Sequence, residues 1–178
     1  MKKGLIFICC IFLSIVIVVL FGVLHNQFTF TISSEFFTKL MFERFGFVEY
    51  CTTTPRLTAS IIGAWSTWWI GLISGLIFST IGLFYPAAKD MIKSISYASL
   101  ILLVTTTIIG LLGLCYGFFN LSGLEKSCCF PLEINNVKNF IAVAKMHSFS
   151  YVGGAVGVVL GVFSQIKNLI KNKTNATV

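Results

Sequence analysis

Four long apolar runs constrain the fold of this chain more than any other feature of its sequence. They cover about residues 4–24, 58–84, 95–119 and 148–166. About 20 helical residues cross a bilayer core of about 30 Å, so each run has the length of a membrane span. Backbone groups that face lipid must be satisfied within their own segment, and the runs are therefore expected to be helices. The predicted fold class is an all-α membrane protein with four transmembrane helices.

The composition excludes a soluble domain. Charged residues make up 11% of the chain, against about 25% in soluble domains, and 18 residues are Phe. A chain of 178 residues has too little interior to bury so many apolar side chains, so lipid is expected to cover them. We therefore treat 1–178 as a single membrane domain whose main partner is the lipid bilayer. The net charge of +7 is interpreted as a topology signal and not as a nucleic-acid surface.

The positions of the basic residues predict the orientation of the spans. One side of the proposed membrane carries Asp90 and seven basic residues, namely Lys2, Lys3, Lys89, Lys93, Lys167, Lys171 and Lys173. The other side carries six basic residues but also five Glu. Because the count that matters is made near span ends and in short loops, where the first side has more Lys, we expect both termini and the tail 167–178 in the cytoplasm. Two longer loops, about 25–57 and 120–147, would lie outside. The first span is expected to be an uncleaved anchor, since no A-x-A-like cleavage site follows it.

Small residues recur at every fourth position in two of the spans. The second span carries Gly63, Thr67, Gly71, Gly75 and Ser79, and the fourth carries Gly153, Gly157 and Gly161. Residues at this spacing share one helix face, and small side chains let helix backbones approach closely in a bilayer. We expect these two stripes to pack tightly, most simply against each other. The contact would lie within one chain, or join the chain to itself or to another membrane protein.

Three tryptophans lie on another face of the second span. Trp65, Trp68 and Trp69 occupy positions i, i+3 and i+4. Tryptophan favours the membrane interface, where its ring is buried and its N–H is hydrated, so an outer aromatic belt is one interpretation. The alternative is a stacking wall for a flat ligand such as a quinone or a porphyrin.

The stretch that follows the first span changes its pattern twice. Between residues 28 and 32, Phe and Ile alternate with Thr, which predicts a short strand. Apolar residues at 36, 37, 40 and 41 then share one helix face opposite Lys39, Glu43 and Arg44. This second pattern is typical of an amphipathic helix in the membrane surface. The sequence therefore predicts an outer loop cap made of a short strand and an amphipathic helix.

The two histidines of the chain are expected on the same membrane face. His25 follows the first span and His147 precedes the fourth, and Glu35 lies close to His25 in the chain. These groups could ligate a metal or a haem iron, serve acid–base chemistry, or hydrogen-bond a quinone carbonyl. They could equally be polar caps at the membrane interface, and no zinc-type spacing supports a metal. The proposed ligand-binding set is His25, Gln27, Glu35, Trp65, Trp68, Trp69, His147 and Tyr151.

The cysteines of the outer loops permit one disulfide. Cys51 lies in the first loop, and the vicinal pair Cys128 and Cys129 lies in the second. In an oxidising compartment a bridge between Cys51 and either member of the pair would tie the two loops together. The sequence leaves the choice of partner open.

Several blocks of the chain resemble a family of uncharacterised bacterial four-span membrane proteins. The blocks are "HNQ", "EFFT", "WSTWWIGLISG" and "HSFSYVGG". The family pattern has His–Asp–Gln, Glu–Tyr–Phe–Thr, Trp–Trp–x–Gly–Leu–x–x–Gly and His–x–x–Ser–Tyr, and no activity is assigned to it. The resemblance marks His25, Gln27, Glu35, Phe37, Thr38, Trp68, Trp69, Gly71, Gly75, His147, Ser150 and Tyr151. It implies a bacterial inner membrane and one outer site, although Asn26 and Phe36 depart from the family's Asp and Tyr, which weakens a metal-binding interpretation.

The motifs of common enzymes are absent from the sequence. It contains no Walker motif, G-x-S-x-G, H-E-x-x-H or dinucleotide fingerprint. No ionisable residue lies in the middle of a span, which argues against a charged transport relay. These observations favour a non-enzymatic binding, interaction or assembly component of the bacterial envelope, without a cofactor. The alternative is a redox protein that holds haem, quinone or a metal at the two histidines.

Overall fold

The computed structural model describes residues 3–50, 53–120 and 134–175, and every regular element in these ranges is helical. The long helices are α1 (Lys3–Ile32), α4 (Pro55–Gly82), α5 (Ala88–Phe119) and α6 (Val137–Asn175). Two short helices, α2 (Ser34–Phe36) and α3 (Phe42–Phe45), flank a π-helical turn over Phe37–Met41, and a 3₁₀ turn covers Val48–Tyr50. We call residues 33–47 the cap segment.

The four long helices are long and apolar enough to cross a membrane, which confirms the predicted all-α fold class. The chain is a multi-pass membrane protein. Its helices extend beyond the apolar runs, since α1 continues to Ile32, α5 begins at Ala88 and α6 begins at Val137. Hydropathy marks the part of a helix that contacts lipid, whereas the helix itself ends where its backbone is capped.

The glycine stripes pack tightly, but the expectation that they pack against each other is wrong. The stripe of α4 faces α1, where a Cβ on Gly71 would lie 2.7 Å from the Cα of Ile15. The stripe of α6 faces α5, where a Cβ on Gly157 would lie 2.9 Å from the Cα of Leu102. Only Gly161 approaches α4, through the ring of Phe78. The bundle is therefore two close helix pairs, α1 with α4 and α5 with α6.

The predicted strand is wrong, because residues 28–32 form the last turns of α1. The hydroxyl of Thr29 donates to the carbonyl of His25 at 2.9 Å, and that of Thr31 donates to the carbonyl of Gln27 at 3.0 Å. Threonine makes such bonds within helices. Phe30 is buried while Phe28 faces outward, so the apolar alternation does not define one face of a strand.

The cap segment is not a continuous amphipathic helix in the membrane surface. Phe36, Phe37 and Phe42 are at most 2% exposed, and the other apolar side chains of the segment, Leu40, Met41, Phe45 and Phe47, are partly buried against them. They form one core with Phe30 and Phe140. The segment thus covers the bundle end that we call the cap end, and its last helix, α3, ends at Gly46, which has a positive φ.

Buried hydrogen bonds hold the opposite end of the bundle, which we call the tail end. Tyr85, between α4 and α5, donates its hydroxyl proton to the carbonyl of Gln165 at 2.7 Å. The side-chain amide of Gln165 donates to the carbonyl of Phe78 and to the hydroxyl of Ser94. Lys3 donates to the carbonyl of Tyr85 at 2.6 Å, so all four long helices are joined here.

Candidate functional site

A cavity of about 290 Å³ lies between the two helix pairs. All four long helices line it, mostly with apolar residues such as Val18, Ile70, Leu102 and Val158. The polar lining includes His25, Asn26, His147 and Ser150, contributed by α1 and α6. A mostly apolar cavity with a few convergent polar groups is the usual form of a small-molecule site.

The two histidines meet at this cavity. The ring centroids of His25 and His147 are 4.7 Å apart, and the rings are nearly perpendicular, at 81°. Phe36 of the cap segment lies over His147 with ring centroids 4.9 Å apart. The cap segment therefore holds the imidazole of α6 against that of α1.

Thr29 connects the histidine pair to the backbone of α1. Its hydroxyl, which is fully buried, lies 2.9 Å from the carbonyl of His25 and 3.2 Å from the Nε2 of His147. A hydroxyl has one proton, and we assign it to the shorter bond with the carbonyl. In that arrangement Nε2 of His147 carries a proton and donates it to Thr29.

Two buried polar atoms of this site have no hydrogen-bond partner among the described residues. They are Nε2 of His25 and Oγ of Ser150, and both residues line the cavity. Ser150 packs against Gly110 of α5, where any side chain would collide with the serine hydroxyl. A buried polar atom without a partner costs about 1–3 kcal/mol, so such atoms are rare in folded proteins. Both residues line the cavity, but the two atoms themselves are covered by neighbouring side chains, so a bound molecule could bond them only after those side chains move.

Glu35, which the sequence placed beside the histidines, is bonded elsewhere. Its carboxylate accepts from the backbone amides of Asn135 and Asn136 at 3.0 and 2.9 Å, just before α6. These two amides, Asn135 first, hold the pKa of the Glu35 carboxyl below its ordinary value. Lys39 adds an ion pair at 3.5 Å. Glu35 therefore joins the cap segment to the start of α6 and does not contact the histidines.

Gln27 also lies apart from the cavity. Its side-chain amide donates to the carbonyl of Arg56 and to the hydroxyl of Ser60, both at 2.8 Å, and its carbonyl oxygen accepts from Arg56. These bonds join the cap-end turns of α1 to the start of α4. Its role in the structure is to connect two helices.

The tryptophans face outward, and only Trp69 lines the cavity. The cavity lining includes four half-exposed or exposed residues, which are Trp69 and Ile73 of α4 and Tyr151 and Ala155 of α6. No lining residue of α1 or α5 is exposed. The cavity therefore opens sideways between α4 and α6, towards the lipid.

The geometry of the site does not suit the ligation of a metal ion or a haem. Among the described residues, no group of three or more His, Cys, Asp or Glu side chains could hold a metal ion. The direct contact between the rings of His25 and His147 leaves no space for a porphyrin plane between them. A hydrogen bond to the polar end of an apolar molecule is the chemistry that the orphaned nitrogen of His25 and the hydroxyl of Ser150 suit best. The disulfide predicted for Cys51 with Cys128 or Cys129 lies outside the described residues.

Sequence reasoning missed Asn26 and Thr29 as parts of the site. The sequence marked Asn26 only as a departure from the family's Asp, and its burial on the same face of α1 as Ser14, Val18 and Gly22 became visible in the structure. Asn26 donates to the carbonyl of Ala59 at 2.9 Å, which fixes its side chain beside the cavity. Comparisons of the chain with protein-family models, with curated proteins and with solved structures found no match.

Proposed function

We propose that this chain is a non-enzymatic binding protein of a bacterial inner membrane, with both termini in the cytoplasm. It holds a small, largely apolar molecule in the cavity below the histidine pair. The observation that carries the proposal is that His25 and Ser150, whose Nε2 and Oγ atoms have no partner among the described residues, line a mostly apolar cavity. The bilayer itself supplies such molecules at high local concentration.

The size and lining of the cavity restrict the ligand. At about 290 Å³ it lies just below the roughly 300–1,000 Å³ found for ligand pockets, so only a small ligand or part of a larger one fits. A single ring with a carbonyl or hydroxyl group, such as the head of a quinone, fits these limits. The head would meet His25 and Ser150, and an apolar tail would leave between Trp69 and Tyr151 into the lipid.

An interaction or assembly role through the glycine stripes is less well supported. The glycines that motivated it are occupied inside the chain, because those of α4 contact α1 and those of α6 contact α5. A protein partner would have to use other surfaces of the helices. The binding function is therefore the one that we favour.

The variant Ser150→Ala tests whether a ligand occupies the cavity. If a ligand satisfies the serine, the variant purified in mild detergent should retain less ligand in its organic extract and be less stable than the wild type. After exhaustive ligand removal the order should reverse, since the variant then lacks an unsatisfied hydroxyl that costs about 1–3 kcal/mol. Mass spectrometry of the extracts identifies the ligand.

Ser148→Ala is the matched control on the same helix. Its hydroxyl is exposed and donates to the carbonyl of Ala144 at 3.0 Å, so the change should alter neither the ligand content nor the order of stability. His25→Ala should lose the ligand as Ser150→Ala does. A Ser150→Ala protein that is more stable than the wild type both before and after stripping would refute the proposal.

A further inference from the structure

A second recess lies at the tail end of the bundle, far from the histidine pair. It has a volume of about 700 Å³ and lies between the first turns of α5 and the last described turns of α6. Its polar lining includes Lys93, Ser96 and Tyr97 of α5 and Asn168 and Lys171 of α6. The proposed function makes no use of this recess.

Among the described residues, the lining of the recess has a net positive charge. Lys93 and Lys171 approach it from two different helices, and neither forms an ion pair or a hydrogen bond with a described residue. The one carboxylate in the lining is that of Asp90, in the first turn of α5, where a negative charge interacts favourably with the free amides of the helix. Two ammonium groups beside hydroxyl and amide donors form a suitable environment for a phosphate group.

An outward-facing apolar strip leads from this recess into the membrane. Tyr97 is 53% exposed at its edge, and Leu100, Val104 and Ile108 follow on the same side of α5 with 47–55% of their surface exposed. These positions are three or four residues apart, so they form a continuous ridge. The ridge is long enough to contact much of an acyl chain, which a free anion would not use.

We propose that this recess binds the phosphate group of an anionic phospholipid, with Lys93 and Lys171 contacting the phosphate and an acyl chain lying along Leu100, Val104 and Ile108. Basic recesses between transmembrane helices are known to hold such headgroups. The recess and the cavity have no lining residue in common, and the histidine pair lies towards the other end of the bundle, so this inference does not depend on the proposed function.

The test compares two double variants with the same change in charge. Lys93→Gln with Lys171→Gln alters the recess, whereas Lys89→Gln with Lys167→Gln alters two exposed lysines of the same two helices outside it. Native mass spectrometry in detergent measures the binding of added phosphatidylglycerol, with phosphatidylcholine and inorganic phosphate as further probes. Far-UV circular dichroism checks that both variants keep their helices.

The recess variant should bind phosphatidylglycerol roughly tenfold more weakly than the wild type, and the control variant should lose less than about threefold. Phosphatidylcholine should bind weakly to all three proteins. Equal losses in the two variants would overturn the proposal, because they would indicate a diffuse charge effect. If millimolar inorganic phosphate displaces the lipid fully, the acyl-chain part of the proposal is wrong and the recess is a site for a free anion.

Discussion

The close approach of α5 and α6 predicts that Gly157→Ala destabilises the protein. A Cβ on Gly157 would lie 2.9 Å from the Cα of Leu102 and 3.1 Å from its carbonyl oxygen. Both atoms belong to the backbone of α5, so the two helices have to move apart. Overpacking of this kind costs about 1–3 kcal/mol. Alanine also gains about 1 kcal/mol over glycine in a helix interior, which leaves a net loss of roughly 0–2 kcal/mol.

Gly154→Ala is the matched control, one turn away on the same helix. The nearest atom to a Cβ there is Oγ1 of Thr106 at 3.8 Å, an ordinary contact. The gain in helix propensity is the same in both variants and cancels in their difference. Gly154→Ala should therefore be more stable than Gly157→Ala by about 1–3 kcal/mol.

Unfolding of the detergent-solubilised protein by titration with sodium dodecyl sulfate, followed by circular dichroism, measures this difference. Gly71→Ala in α4, where the new Cβ would meet the backbone of Ile15 in α1, should lower the free energy of unfolding by an amount similar to that of Gly157→Ala. If Gly157→Ala and Gly154→Ala have equal free energies of unfolding, the α5–α6 contact is looser than described. The pairing of the helices would then need another explanation.

Three further predictions test the two ends of the bundle. Folding lowers the pKa of Glu35, so its contribution to stability should be present above the unfolded pKa and be lost as the pH falls through the folded pKa. Glu35→Gln should remove this pH dependence. Hydrogen exchange at the amide of Asn135, which donates to Glu35, measures it. Thr29→Val leaves Nε2 of the partly buried His147 without its partner and should cost about 1–3 kcal/mol in chemical unfolding. The control Thr107→Val, at an exposed position of α5, should change stability by less than about 0.5 kcal/mol. Tyr85→Phe removes the buried bond to the α6 carbonyl and should lower the free energy of unfolding by about 1 kcal/mol, with unchanged helix content by circular dichroism.

The extents of the helices show where hydropathy stops being informative. The apolar run of the first span ends near residue 24, yet α1 continues to Ile32 through polar residues that bond within the helix or to its neighbours. Likewise α6 starts at Val137, well before its apolar run. Hydropathy reports contact with lipid, and the polar turns at the cap end contact protein instead.

The alternation over residues 28–32 led to the wrong element for a related reason. A period of two suggests a strand when one face is buried and the other is wet. Here Thr29 and Phe30 are neighbours in sequence and both are buried, because the cap segment and α6 cover the end of α1. The pattern of burial came from the tertiary structure and could not be recognised in five residues.

The site was partly predictable. The topology of four antiparallel spans predicted that His25 and His147 would reach one membrane face, and the structure places their rings in contact. Glu35 is near His25 in the chain, but its carboxylate turns to the amides that precede α6 because unpaired backbone N–H groups bind it there. Nothing in the sequence marks Thr29 as a site residue, because its hydroxyl also makes an ordinary hydrogen bond to a carbonyl of its own helix.

The sequence by itself determined that the chain crosses the membrane four times and that α4 and α6 each carry a stripe of small residues on one face. Bilayer thickness sets the length of a span, and a four-residue period sets a face, so both follow from local pattern. Only the tertiary structure decided that α4 packs on α1 and α6 on α5, because a helix face of small residues allows close approach of any helix with a compatible surface. The space left between the two helix pairs, with His25 and Ser150 facing it, is a consequence of that choice.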